Sequence, residues 1–172
     1  KESVIHRDIK PANILISATG DTSIIMMGES PGTLRVLVTD FGIAHDEMAQ
    51  TRLTASGAMI GTPLYMAPEQ IDQQLGKVDA RTDQYALGTI LYEMITGSPP
   101  FQEDSIAKLF LKITTESPVP MKKKVPAVFP DLETIVEKIL QKEQDRRYRD
   151  CGAVVEGLQR ASRGDPILAR PT

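Results

Sequence analysis

The chain has 172 residues, 41% hydrophobic and 25% charged, an ordinary composition for one globular domain with a real core. Twenty basic against 23 acidic residues leave a net charge of −3, which speaks against nucleic acid as a partner. A lone cysteine, Cys151, excludes an internal disulfide and a cysteine zinc site, and two histidines, His6 and His45, are too few for a histidine metal centre. No run reaches the about 18 apolar residues of a membrane span. Residues 1–15 carry charges and Pro11, so a signal peptide is not expected there. A reducing, cytoplasmic setting is expected. The opening Lys1-Glu2-Ser3, without Met, gives the expectation of a fragment.

Two short apolar stretches, Val4-Ile5 and Ile14-Leu15-Ile16, flank a polar turn broken by Pro11. Residues 34–39, Leu-Arg-Val-Leu-Val-Thr, are rich in β-branched side chains and read as a strand. Gly20-Asp21, Gly28 and Ser30-Pro31-Gly32 lie between them as turn signals, so 14–16 and 34–39 are expected to form a hairpin with a long connector. Ile24 to Met27, inside the connector, either extends the hairpin or packs locally. Residues 43–65 lack sustained periodicity and read as an extended loop. From residue 80 the pattern turns helical, with Ala86, Leu87, Ile90, Leu91, Met94 and Ile95 at helix spacing. Tyr85, Leu87, Leu91 and Ile95 are expected to be buried in a central helix stopped by Gly97 and Pro99-Pro100. Asp104 or Ser105 is expected to cap a helix through Thr115, and Asp131 a helix from Leu132 to Leu140. A last helix is expected over 150–161, and the tail from Gly164 reads as the start of a linker. The fold class is mainly α with a small β-hairpin region, an α+β arrangement.

Three strings stand out in a fixed order: His6-Arg7-Asp8-Ile9-Lys10-Pro11-Ala12-Asn13, then Asp40-Phe41-Gly42 directly after the 34–39 strand, then Gly61-Thr62-Pro63-Leu64-Tyr65-Met66-Ala67-Pro68-Glu69. Taken singly, Asp8 and Asn13 are turn residues around a proline, Asp40-Phe41-Gly42 is a strand-ending turn, Asp83 is a helix cap, and Glu69 and Arg147 are surface charges. Together, in this order, the three strings resemble the catalytic loop, the metal-binding turn and the docking end of the activation segment of protein kinases. Asp83-Gln84-Tyr85-Ala86-Leu87-Gly88 is similar to the family's Asp-x-Trp-x-x-Gly, with Tyr for the usual Trp, and Arg147 fits its late arginine. The wording Tyr65-Met66-Ala67-Pro68-Glu69-Gln70 and Thr96-Gly97-x-Pro99-Pro100-Phe101 resembles the eukaryotic-like Ser/Thr kinases of bacteria.

The resemblance implies roles residue by residue. Phosphoryl transfer needs a group that orients a hydroxyl and accepts its proton, and cations over the phosphate charge. Asp8 is implied as that carboxylate and Lys10 as the positive charge reaching the γ-phosphate, the lysine that marks Ser/Thr specificity. Asn13 and Asp40 are implied as oxygen ligands of Mg²⁺ or Mn²⁺ bound with ATP. Thr62 is implied to bridge Asp8 and Lys10 through its hydroxyl. Thr54 and Ser56 are expected as activating phosphorylation sites with Arg7 as phosphate partner, the phosphate arriving from a second kinase copy acting in trans. His6 is expected to be structural, Glu69 and Arg147 to form a buried ion pair, and Asp83 to hold the catalytic-loop backbone from below.

The sequence also departs from the family. No G-x-G-x-x-G occurs in the chain, so the expected architecture is a kinase-like C-terminal lobe over 1–163 with the N-terminal lobe absent, followed by the start of a linker over 164–172. Asp8 and Asp40 lie 32 positions apart, about a dozen more than is usual in the family, which places an insertion near 17–33. The expected function is transfer of the ATP γ-phosphate to Ser/Thr hydroxyls of protein substrates by the parent protein, with the isolated chain inactive. The alternative is a lobe-only or pseudokinase-like binding module. Membrane attachment of the parent is left open, since such kinases often carry a spanning helix after the kinase domain.

Overall fold

The computed structural model describes residues 4–18, 34–41 and 63–167. Strands β1 (Ile14–Ala18) and β2 (Leu34–Val38) pair antiparallel with Ile14 opposite Val38 and Ala18 opposite Leu34. This is the expected hairpin, lengthened by two residues into the segment assigned to an insertion; residues 19–33 lie outside the described residues. A 3₁₀ turn, Pro11–Asn13, feeds β1. Its proline pre-sets φ and lacks an N–H that the first turn has no partner for.

Six α-helices follow among the described residues: α1 (Pro68–Ile71), α2 (Ala80–Thr96), α3 (Ile106–Thr115), α4 (Met121–Lys124), α5 (Pro130–Ile139) and α6 (Cys151–Arg163). The long helix α2 starts at a capping box. The Asp79 carboxylate accepts from Arg81 N (2.7 Å), and Asp79 N donates to the Thr82 hydroxyl (3.2 Å). It stops at Gly97, whose φ of 77° is left-handed and whose N–H donates to Glu93 O (2.8 Å). Between these signals Tyr85, Ala86, Gly88, Thr89, Ile90 and Tyr92 are all buried, so α2 is enclosed on several sides. Tyr85 is buried as expected, whereas Leu87, Leu91 and Ile95 are only half-buried. The helix meets neighbours around much of its circumference, and at the small Gly88 it faces Ile139 and Leu140 closely.

Ser105 takes the cap position of α3, one of the two residues expected there, but without a side-chain bond. Helix α5 begins at Pro130 with Phe129 at the cap, so Asp131 lies in the first turn. The fixed φ of proline starts the helix there before any carboxylate is needed. Helix α6 is capped by Asp150, which accepts from Ala153 N (2.9 Å), and ends at left-handed Gly164. Ile167 beyond it still packs on the core.

The main core joins Tyr85, Tyr92, Phe101, Leu109, Ile113, Met121, Val136 and Leu140. Ile135, Ile139, Tyr148 and Val154 form a second cluster between α5 and α6. A third, Ile9 with Ala86 and Ile90, seats the loop before β1 on α2. No helix among the described residues is long and apolar enough to cross a membrane.

Gly88 supplies a test of this packing. A Cβ there lies 2.5 Å from Ile139 Cγ2 and 3.1 Å from its Cβ. Gly88→Ala is expected to destabilise the fold by about 1–3 kcal/mol through overpacking, outweighing the roughly 1 kcal/mol that alanine gains as a helix former. Urea denaturation of the two proteins checks this.

Candidate active site

The loop 4–13 is held from three directions. His6, 2% exposed, has Nε2 at 2.7 Å from Thr39 O, while its Nδ1 accepts from Asp8 N (3.3 Å). A carbonyl can only accept, so these partners assign the proton to Nε2. The ring thereby ties the loop before β1 to the residue after β2, with Phe41 beside it at 4.7 Å between centroids. Thr39 N donates to Asn13 O (2.9 Å). This bond carries the ladder one step past the Ile14–Val38 pair and brings Asn13 next to the Thr39-Asp40 turn. Asp40 has φ of 62°, a left-handed conformation unusual outside glycine, and its Oδ2 accepts from the Thr39 hydroxyl (3.3 Å).

Within the loop, buried Asn13 donates from Nδ2 to Asp8 O (2.8 Å) and Asp8 Oδ2 (3.1 Å). Lys10 Nζ lies 2.7 Å from the same Asp8 Oδ2, both side chains about one-third exposed. Asp8, Lys10 and Asn13 are therefore one connected group at the mouth of the hairpin. The Asn13 amide nitrogen is turned to Asp8, so its oxygen is the end that could meet a cation. Asp40 is exposed at the neighbouring strand end.

Arg7, directly before Asp8, also has a left-handed φ, 69°. The Asp83 carboxylate on α2 accepts from His6 N through Oδ2 and from Arg7 N through Oδ1, each at 2.8 Å. The helix cap is Asp79, and Asp83 turns instead to the loop. On the other side Gln70 Nε2 donates to Arg7 O (2.8 Å), and Gln70 Oε1 accepts from Ala67 N (3.0 Å). Tyr65, which ends the 3₁₀ turn Pro63–Tyr65, donates its hydroxyl to Glu93 Oε2 (2.7 Å). Burial, with the Glu93 carboxylate beside it, pushes the Tyr65 hydroxyl up to about 12.

Beneath lies a polar knot. Glu69 and Arg147, both side chains fully sealed, pair through Nη1–Oε1 and Nη2–Oε2 at 2.8 Å each. Glu69 Oε1 also accepts from Thr82 Oγ1 (2.9 Å) and Gln144 Nε2 (3.0 Å). Arg147 spends its remaining donors on the carbonyls of Gln141, Arg81 and Lys142. Nearby, Lys142 Nζ donates to Ile113 O (2.6 Å) and sits 4.2 Å from the Phe101 ring centroid. Burial, reinforced by the Arg147 charge and opposed by Glu116, pushes the Lys142 ammonium down to about 7.

Thr54, Ser56 and Thr62, together with Gly42, lie outside the described residues. The sequence reading missed Gln70, Gln144, Lys142 and the Tyr65–Glu93 pair. Only Gln70 left a trace, as a glutamine three residues after the position before α1, where a capping box puts Glu or Gln.

The family model described as protein kinase domain matches residues 1–156, and the chain belongs to that family. It is 38% identical over 166 residues to the serine/threonine-protein kinase PknB of Mycobacterium leprae (strain TN), covering 96% of this chain and 24% of that protein. It is 39% identical over 166 residues to PknB of Mycolicibacterium smegmatis, covering 95% of this chain and 24% of that one. Pkn1 of Myxococcus xanthus is 38% identical over 157 residues, covering 91% of this chain and 21% of Pkn1. The chain thus spans about a quarter of the length of these curated relatives. Among solved structures, Rad53 in complex with AMP-PNP superposes with a TM-score of 0.58 at 24% identity, over 90% of this chain and 33% of that one. That likeness carries the fold: kinase-like, mostly helical, with a two-stranded sheet.

Two outcomes follow from the knot. Glu69→Ala strands a buried guanidinium and is expected to cost about 3–5 kcal/mol, and the double variant Glu69→Leu/Arg147→Met less than either single change; chemical denaturation of the set measures both. For Lys142 the folded state holds its proton less tightly than the unfolded chain. Between about pH 7 and about pH 10 the unfolded chain therefore carries more protons, and stability rises with pH. Lys142→Met is expected to flatten that rise in denaturation curves taken across the window. The raised tyrosines, Tyr65, Tyr85, Tyr92 and Tyr148, act in the opposite sense only above the ordinary tyrosine value.

Proposed function

We propose that residues 1–163 form the C-terminal lobe of a Ser/Thr protein kinase catalytic domain, with 164–172 leading into a linker, and that the whole protein transfers the γ-phosphate of ATP to Ser/Thr hydroxyls of protein substrates. What supports this reading is the single connected group of Asp8, Lys10 and Asn13 at the base of the β1–β2 hairpin, beside Asp40.

Asp8 Oδ2 already receives Lys10 and Asn13, so we assign Oδ1 to the incoming hydroxyl. The substrate oxygen bonds to the γ-phosphorus as the bond to the β,γ-bridging oxygen breaks and ADP leaves, and the hydroxyl proton goes to Asp8 Oδ1. Lys10, partly exposed beside Asp8, is the cation that faces the transferred phosphoryl group. Asn13 and Asp40 would hold Mg²⁺ or Mn²⁺. They offer hard oxygens, and no cluster of three His, Cys, Asp or Glu side chains exists among the described residues. Such a donor set suits a cation that takes most of its coordination from phosphates and water. Bound there, the cation neutralises phosphate charge. Thr62 would bridge Asp8 and Lys10, and Thr54 and Ser56 would accept activating phosphates from a second copy, partnered by Arg7.

These 172 residues contain no glycine-rich loop to cover phosphates. Positioning and electrostatics make up nearly the whole of this catalysis, so we propose that they transfer no measurable phosphate alone. In the full-length protein, Asp8→Asn is expected to lower kcat by about 10²–10⁴-fold and Asp40→Asn to abolish transfer, both with an unchanged melting temperature. Radiolabelled transfer from ATP to a protein substrate measures this. Wild-type turnover by Asp8→Asn would sink the reading.

A further inference from the structure

We infer that Gln70 is a positioning residue for phosphoryl transfer: it fixes the peptide unit between Arg7 and Asp8 and so aims the Asp8 carboxylate. The inference rests on the reading of Asp8 as the residue that takes the hydroxyl proton.

A left-handed φ at a non-glycine residue, here Arg7 at 69°, persists only where its surroundings over-determine it. The peptides on both sides of Arg7 are over-determined. The one before it presents its N–H to Asp83 Oδ1 (2.8 Å). The one after it is gripped at both ends: its carbonyl, Arg7 O, accepts from Gln70 Nε2 (2.8 Å), and its N–H, Asp8 N, donates to His6 Nδ1 (3.3 Å). Rotation of this second peptide swings the Asp8 Cα–Cβ bond and with it the carboxylate.

The Gln70 amide cannot flip to reverse the pattern. Its Oε1 accepts from Ala67 N (3.0 Å), an N–H that only an oxygen can satisfy, and its Nε2 faces a carbonyl that only a donor can satisfy. The same side chain therefore links α1, at the end of the Gly61–Glu69 string, to the loop that carries Asp8. Displacement of α1 is transmitted to the Asp8 peptide through one hydrogen bond.

The two ends of Gln70 separate by substitution. Gln70→Glu keeps an oxygen for Ala67 N, a favoured arrangement at this capping position, but sets a second carboxylate oxygen against Arg7 O. Gln70→Met removes both bonds at similar length. In the full-length protein, Gln70→Glu is expected to melt within a few degrees of wild type yet lose about tenfold to a hundredfold in kcat, with KM for ATP changed by less than about twofold. Gln70→Met is expected to lose kcat to the same order and to melt lower. Once protonated, the carboxyl introduced by Gln70→Glu can again donate to Arg7 O. The ratio of Gln70→Glu to wild-type kcat is therefore expected to rise as the pH is lowered, which a purely structural role does not produce. A wild-type kcat in Gln70→Glu, a pH-independent ratio, or a Gln70→Glu protein that melts as low as Gln70→Met would each overturn the inference. Asp8→Asn, run alongside, separates the two levels. If it loses transfer while Gln70→Glu keeps a wild-type kcat, the site reading stands and the Gln70 inference falls. If Asp8→Asn transfers normally, both fall.

Discussion

A carboxylate and a guanidinium sealed from water hold the helical body together. Glu69 stands at the start of α1 and Arg147 in the segment between α5 and α6, 78 positions away. The carbonyls of Gln141, Arg81 and Lys142 and the side chains of Thr82 and Gln144 complete their hydrogen bonding. Two desolvated charges gain little against an apolar pair of equal volume, but each is intolerable without the other. The pair therefore acts as a register pin more than as a source of stability: α1 can sit in one place only. Everything that α1 touches inherits that placement.

What α1 touches is the loop before β1. That loop has a small apolar anchor of its own, Ile9 against Ala86 and Ile90, and otherwise depends on directed polar contacts. Asp83 reaches up from α2, His6 reaches across to Thr39, and Gln70 reaches in from α1. Each contact fixes backbone, and the side chains of Asp8, Lys10 and Asn13 then find one another within a few residues. The Asp8–Lys10–Asn13 group is thus a local cluster on a non-locally shaped backbone, which is how a cluster can be both compact and precise.

Much of this was legible in the residues. β-branched runs separated by turn signals give the hairpin, and Gly97 gives the end of α2. The closeness of Asp8, Lys10 and Asn13 follows from their spacing in one loop. Where local rules competed, the backbone preference prevailed: Pro130 starts α5 and leaves Asp131 without a capping task. The periodic stripe of α2 misranked Leu87, Leu91 and Ile95 because a helix enclosed on several sides has no single buried face. Gln70, Gln144 and Lys142 left almost no trace for a different reason. Their principal partners include the carbonyls of Arg7, Lys77 and Ile113, and a carbonyl is common to every residue. A side chain that recognises backbone carries no pattern along the sequence.

The spans of these clamps carry a consequence for the order in which the molecule takes shape. The amides of His6 and Arg7 meet Asp83 across 77 and 76 positions, and Arg7 O meets Gln70 across 63. A chain synthesised from its N-terminus makes the loop with Asp8 before any of these partners exists. Left to itself, Arg7 relaxes out of its left-handed conformation. The geometry around Asp8 must therefore wait until α1 and α2 have been made and docked, and loops of this length close slowly. The loop that carries Asp8 is made before α1 and α2, yet it takes its final form only after they dock. A nascent or half-folded copy keeps an unshaped Asp8 loop, which takes shape together with the finished helical body.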